Sequence, residues 1–150
     1  MRIRSGLISV MTLTGILLLA SCGGSDSNSN SGATISKADF VEKANAFCAT
    51  ANENVKKAQD ALGASPTQEQ LTSFLTDAVA PEYDDTLSKI RDLGFPAGDE
   101  ALLGGLLDKA ETVVADIAKD PAAILTASES PFTDVNVGFT DYGLTVCAEG

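Results

Sequence analysis

The sequence predicts an all-α domain, a small antiparallel bundle of about four helices closed by one disulfide. Three observations point there. From Phe40 onward apolar residues recur at steps of three and four, the period that keeps one helical face on a core. Pro66, Pro121 and Pro131 each follow a serine or an aspartate, the pairing of cap and first helical position that opens helices. Cys48 and Cys147 stand near opposite ends of this stretch, which runs over residues 36–150 as one domain without internal repeats.

The first helix follows from Phe40, Ala44, Phe47, Ala51, Val55, Ala58 and Leu62 on one stripe, with Ser36 as N-cap and Gly63 ending it. Ser65-Pro66 announces the second, with Gln68 at the capping-box position and a stripe of Leu71, Leu75, Val79, Tyr83, Leu87 and Ile90. That stripe passes Pro81 in phase. It predicts one long helix kinked where the ring crowds the Asp77 carbonyl, with two shorter helices as the alternative. Asp99 caps a third helix carrying Leu103, Leu106, Ala110, Val113 and Ile117. Asp120-Pro121 opens a short helix through Leu125, and Ser130-Pro131 a final one with Phe132, Val135, Phe139 and Tyr142. Val135, Val137 and Phe139 also alternate as a strand does, so residues 131–142 admit that second reading; helix is preferred because an isolated hairpin is marginal. Gly143 is expected to cap this helix, with Leu144 as its hydrophobic contact.

Ahead of the domain, Arg2 and Arg4 precede an apolar run from Leu7 to Ala20, too short and too interrupted by Ser9, Thr12, Thr14 and Gly15 to span a bilayer. Residues 1–21 therefore read as a signal peptide. Leu19-Ala20-Ser21-Cys22 resembles the lipobox of bacterial lipoproteins. The resemblance implies cleavage after Ser21 and a diacylglyceryl group, with its palmitate-type chains, on the Cys22 thiol. Residues 22–35 then form a lipidated cysteine and a flexible Gly/Ser/Asn tether with a root-mean-square span of roughly 20 Å. The expected location is extracytoplasmic, lipid-anchored to the cell membrane. Removing Arg2 and Arg4 with the signal leaves a net side-chain charge of −13, which repels anionic lipid and sets nucleic acid aside as a partner.

With Cys22 consumed by lipid, Cys48 and Cys147 remain as a pair in an oxidising compartment, and a disulfide is expected. A metal site or a thiol nucleophile lacks partners, because the chain has no histidine. Phe40-Val41-Glu42-Lys43-Ala44-Asn45-Ala46-Phe47-Cys48, the Leu93 to Glu100 loop and Tyr142-Gly143-Leu144-Thr145-Val146-Cys147 together resemble small uncharacterised helical lipoproteins of actinobacterial type. That resemblance implies a fold and paired cysteines, and no activity.

Catalytic chemistry finds little support, so no enzyme, cofactor or metal is expected. Glu82, Asp84, Asp85, Asp99 and Glu100 form an acidic set whose spacing does not specify calcium, and Asp134-x-Asn136-x-Gly138 departs from a calcium loop. Gly104-Gly105 interrupts the third stripe at a cost of about 1 kcal/mol per glycine relative to alanine. Two readings fit: close packing of another helix, or room for a ligand in a pocket with Leu103, Leu106 and Phe74. Two functions follow. One is an interaction or structural module of the cell envelope meeting an envelope protein; the other is a carrier of a small apolar ligand or lipid.

Overall fold

Ser36 decides where the chain turns helical. In the computed structural model, which describes residues 34–149, its extended backbone directs the side-chain oxygen to accept from the Asp39 N–H at 3.1 Å. Helix α1 (Lys37–Ala61) begins there. The signal segment, Cys22 and the tether through residue 33 lie outside the described residues. Helix α1 ends before Gly63, whose φ of +78° takes the left-handed conformation that releases the chain.

Helix α2 (Gln68–Phe74) starts two residues later than Ser65-Pro66 suggests. Its cap is Thr67, which accepts from the Gln70 N–H at 3.2 Å while Gln70 accepts from the Thr67 N–H at 2.8 Å. The capping box is reciprocal, only in a later register. Two donors are satisfied at once, and Pro66 stays in the linker where its missing N–H is immaterial.

The helical run continues through Leu75–Val79 as a π-turn and on into α3 (Ala80–Asp92). Ala80 donates to the Leu75 carbonyl, five residues back. The single-run expectation at Pro81 therefore holds. The distortion lies in the turn before the ring, where the wider winding relieves its conflict with Asp77. Helix α4 (Glu100–Lys119), α5 (Pro121–Thr126) and α6 (Thr133–Tyr142) complete the set. Asp120 caps α5 by accepting from the Ala123 N–H at 3.1 Å. Residues 133–142 are helical, which removes the strand reading, and the exposed Val137 needs no buried face.

The chain leaves α6 through a Schellman turn. Gly143 has φ +106°, Leu144 donates to the Phe139 carbonyl at 2.8 Å, and the Leu144 side chain is wholly buried. A short 3-10 turn (Cys147–Glu149) then lies on α1. Helix α1 packs on α3, α3 on α4 and α4 on α6. Their shared core holds Phe40, Ile90, Leu103, Leu107, Ile117 and Leu144 without solvent exposure. In α1 the buried residues Phe40, Ala44 and Ala51 lie on the stripe drawn in the sequence, and only its middle position differs, where Cys48 is buried and Phe47 half-buried beside it.

Glycine in these helices divides by surroundings. A methyl group at Gly105 meets nothing within 4 Å and one at Gly104 meets only the Phe95 ring edge at 4.0 Å, whereas one at Gly138 runs into the Leu106 side chain. The close helix packing expected at Gly104-Gly105 is found instead at Gly138, between α6 and α4. Gly104→Ala and Gly105→Ala should each stabilise by about 0.4 to 1 kcal/mol, by restricting the unfolded chain. Gly138→Ala should destabilise by about 1 to 3 kcal/mol through overpacking. Denaturant melts of the three variants check the opposite signs.

Candidate functional site

The closure of the bundle is built from one row of α1. Asn45, Cys48 and Asn52 are spaced three and four apart and so share a face. Cys48 is joined to Cys147, with Cα atoms 4.9 Å apart across a sequence separation of 99. On one side Asn45 donates to the Gly143 carbonyl at 3.1 Å and accepts from the Val146 N–H at 3.1 Å. On the other, Asn52 donates to the Val146 carbonyl at 3.0 Å. Neither asparagine stands out in the sequence until its spacing from Cys48 is noticed.

The membrane-side expectation for Cys22 lies outside the described residues. The other expected pocket residues do not assemble. Leu103 and Leu106 face the core from α4, Gly104 and Gly105 sit on its outer side, and Phe74 lies on α2 near Ala58, Ala61 and Leu62 of α1. Phe74 shares no pocket lining with Leu103 or Leu106.

A partly open cleft lies beneath the disulfide, walled by Tyr83, Leu87, Ile90, Val114, Phe132 and Phe139, with a volume of about 40 Å³. Tyr83 and Phe132 meet edge to face there, with ring centroids 5.7 Å apart. One water occupies about 30 Å³ of liquid, whereas ligand pockets run from about 300 to 1,000 Å³. That volume lies well below the range of ligand pockets.

The larger concavities are on the surface, between the C-terminal half of α1 and the α2–α3 run. One, of about 370 Å³, is lined by Asn54, Val55, Pro81, Glu82 and Asp85; the next, of about 530 Å³, by Ala58, Ala61, Leu62, Glu69 and Phe74. Asp77 and Ala78, both inside the π-turn, line the two in common. They form one open groove. Elsewhere Leu102 at 56 % and Val137 at 59 % exposure are single apolar residues of an ordinary kind.

The acidic set is dispersed. Glu82 accepts from Asn54 at 3.0 Å, Asp85 pairs with Lys89, Asp99 accepts from the Tyr142 hydroxyl at 2.7 Å and Glu100 accepts from the Gly98 N–H at 2.8 Å. Asp84 is exposed. No cluster of three potential metal ligands occurs among the described residues. Asp134, Asn136 and Gly138 lie within α6, whose helical backbone cannot wrap an ion as a loop does. Among the described residues, no helix is long and apolar enough to cross a membrane. Comparison of the chain with protein-family models, with curated proteins and with solved structures gives no match.

Burial, followed by the hydrogen bond to Asp99, raises the Tyr142 pKa; burial, followed by the Glu82 charge, raises that of Tyr83. The folded state therefore holds more protons than the unfolded state above the ordinary tyrosine value of about 10. This contribution to stability is complete below about pH 10 and is lost as pH rises toward the folded values. Tyrosinate absorbance should accordingly appear later in the folded protein than in denaturant. Replacing Cys48 and Cys147 together by serine should lower stability by about 2 to 5 kcal/mol while far-ultraviolet dichroism stays helical. Asn45→Ala in the oxidised protein should cost about 1 to 3 kcal/mol, because Val146 and Gly143 both lose a partner.

Proposed function

We propose that this chain is a lipoprotein of the cell envelope, anchored through Cys22, whose helical domain serves as a protein-interaction module. The observation that carries the reading is the contrast between a cleft of about 40 Å³ beneath the disulfide and an open groove with concavities of about 370 and 530 Å³. A carrier needs an internal pocket; a docking module needs a surface. The bridge across Cys48 and Cys147 supports residence in an oxidising compartment. The tether to α1 supports a domain that swings above the bilayer, with a full reach of about 45 Å.

The lipid anchor is tested by Cys22→Ser, which should abolish metabolic acyl labelling and leave an uncleaved precursor. A variant that still carries acyl label overturns the lipobox assignment. The module is tested by native mass spectrometry of the protein extracted from its own membrane in mild detergent. A retained protein partner is the expected result. Retention of a second, non-covalent lipid in place of a protein establishes the carrier.

A further inference from the structure

The groove between α1 and the α2–α3 run is lined by the small apolar side chains Ala58, Ala61 and Ala78 and the larger Leu62 and Phe74. Its rim is acidic, with Glu69, Asp77, Glu82 and Asp85. Of these, Asp85 pairs with Lys89 and Glu82 accepts from Asn54, so Glu69 and Asp77, both exposed, carry most of the rim's unpaired charge. Along α1 the groove runs from Asn54 to Leu62, a rise of about 12 Å, or just over two helical turns. A partner helix places side chains i, i+4 and i+7 within that length.

We infer that this groove docks a short amphipathic helix of a partner protein, one that presents leucine-type side chains to the alanine lining and lysine or arginine to the carboxylate rim. The inference rests on the interaction-module reading and names the partner's chemistry. Small lining residues leave space for the partner's side chains, and an apolar helix face set into a groove is a recurrent mode of recognition. The rim sets the sign of the flanking charge. Other occupants fit less well. The chain's own Gly23–Gly32 stretch is Gly, Ser, Asn and Asp, with no apolar residue to seat. A second copy brings the same excess of acidic side chains to an acidic rim.

Three helical peptides of about 15 residues test this against the full chain in non-ionic detergent. The first carries leucines at i, i+4 and i+7 with lysines beside them, the second the same leucines with glutamates, and the third the lysines with glutamine for leucine. Only the first should bind in the micromolar range, with the other two at least about tenfold weaker. Its affinity should fall at least about tenfold between roughly 0.05 and 0.5 M salt, and hydrogen exchange should slow along residues 54–62 and 74–85. Glu69→Lys with Asp77→Lys, both at exposed positions, should reverse the preference between the first two peptides. Glu69→Gln with Asp77→Asn should weaken the first without reversal, and melts confirm that each variant is folded.

Equal binding of the third peptide reduces the effect to bulk charge and overturns the proposal. So does an unchanged preference in the lysine variant, protection elsewhere on the surface, or no binding of any peptide. Should native mass spectrometry still find a partner whose cross-links map away from the groove, the module reading stands and the groove assignment alone falls.

Discussion

The fold depends on how its last residues are held to its first helix. Cys147 is bonded to Cys48, and the backbone on either side of the tail is gripped by Asn45 and Asn52 from the same face of α1. A covalent link spanning a sequence separation of 99 constrains the unfolded chain more than the folded one, by about 4.7 kcal/mol in the chain-entropy treatment as an upper figure. The two asparagines add direction. They bond backbone groups of the tail, the Gly143 carbonyl and the Val146 N–H and carbonyl, that its local turns engage only in part. Each also fixes the tail's register, which a single bond between sulfur atoms does not. The buried Leu144, set by the left-handed Gly143, is the apolar counterpart of the same clamp.

A thin core makes this closure matter. The chain has no tryptophan, and four of the buried core positions are alanines, Ala44, Ala51, Ala80 and Ala110. Short side chains let helices approach closely, as Gly138 does beneath Leu106, but each contributes little apolar area. At the end of the bundle where α1 and α4 begin, Tyr142 supplies a second fastening. Its hydroxyl donates to Asp99, its ring meets Phe40 edge to face with centroids 6.1 Å apart, and Lys37 lies 4.0 Å above it. Asp99 thus serves a distant tyrosine in place of its own helix terminus, where it makes no side-chain capping bond. Arg91 ties α3 to α4 through Asp108 and Glu111, near 2.9 Å and 2.8 Å, in a network at the edge of solvent.

The surface groove has a local origin. Pro81 cannot accept a regular turn ahead of it, so the chain winds wider over Leu75–Val79, and Asp77 and Ala78 within that turn line both of the concavities beside α1. A constraint on one ring is expressed as surface shape. The cleft beneath the disulfide is far smaller, about 40 Å³. The larger concavities therefore lie outside the core, beside acidic side chains.

Much of the architecture was legible residue by residue. The Ser36 cap, the Asp120-Pro121 start and the Gly143 turn depend on contacts within a few positions, and the helical stripes depend on period alone, so each survives without knowledge of the neighbours. The pairing of Cys48 with Cys147, expected on the reading that Cys22 carries lipid, is present in the structure. What tertiary contact decided is of another kind. Thr67-Gln70 and Ser65-Gln68 are equivalent caps in isolation, and only the path from α1 selects the later one. Gly104-Gly105 and Gly138 are equally poor helix residues, yet only Gly138 faces another helix closely, because spacing along one helix says nothing of which neighbour lies opposite. Residues 131–142 carry both helical and alternating patterns, and packing of Val135, Phe139 and Tyr142 against the core resolves them as helix. Asn45 and Asn52 find their partners about a hundred residues away, and the groove exists only where α1 meets the π-turn. Local chemistry determined the elements and their ends; burial against distant partners determined register, clamp and surface groove, since those energies exist only once the chain has closed on itself.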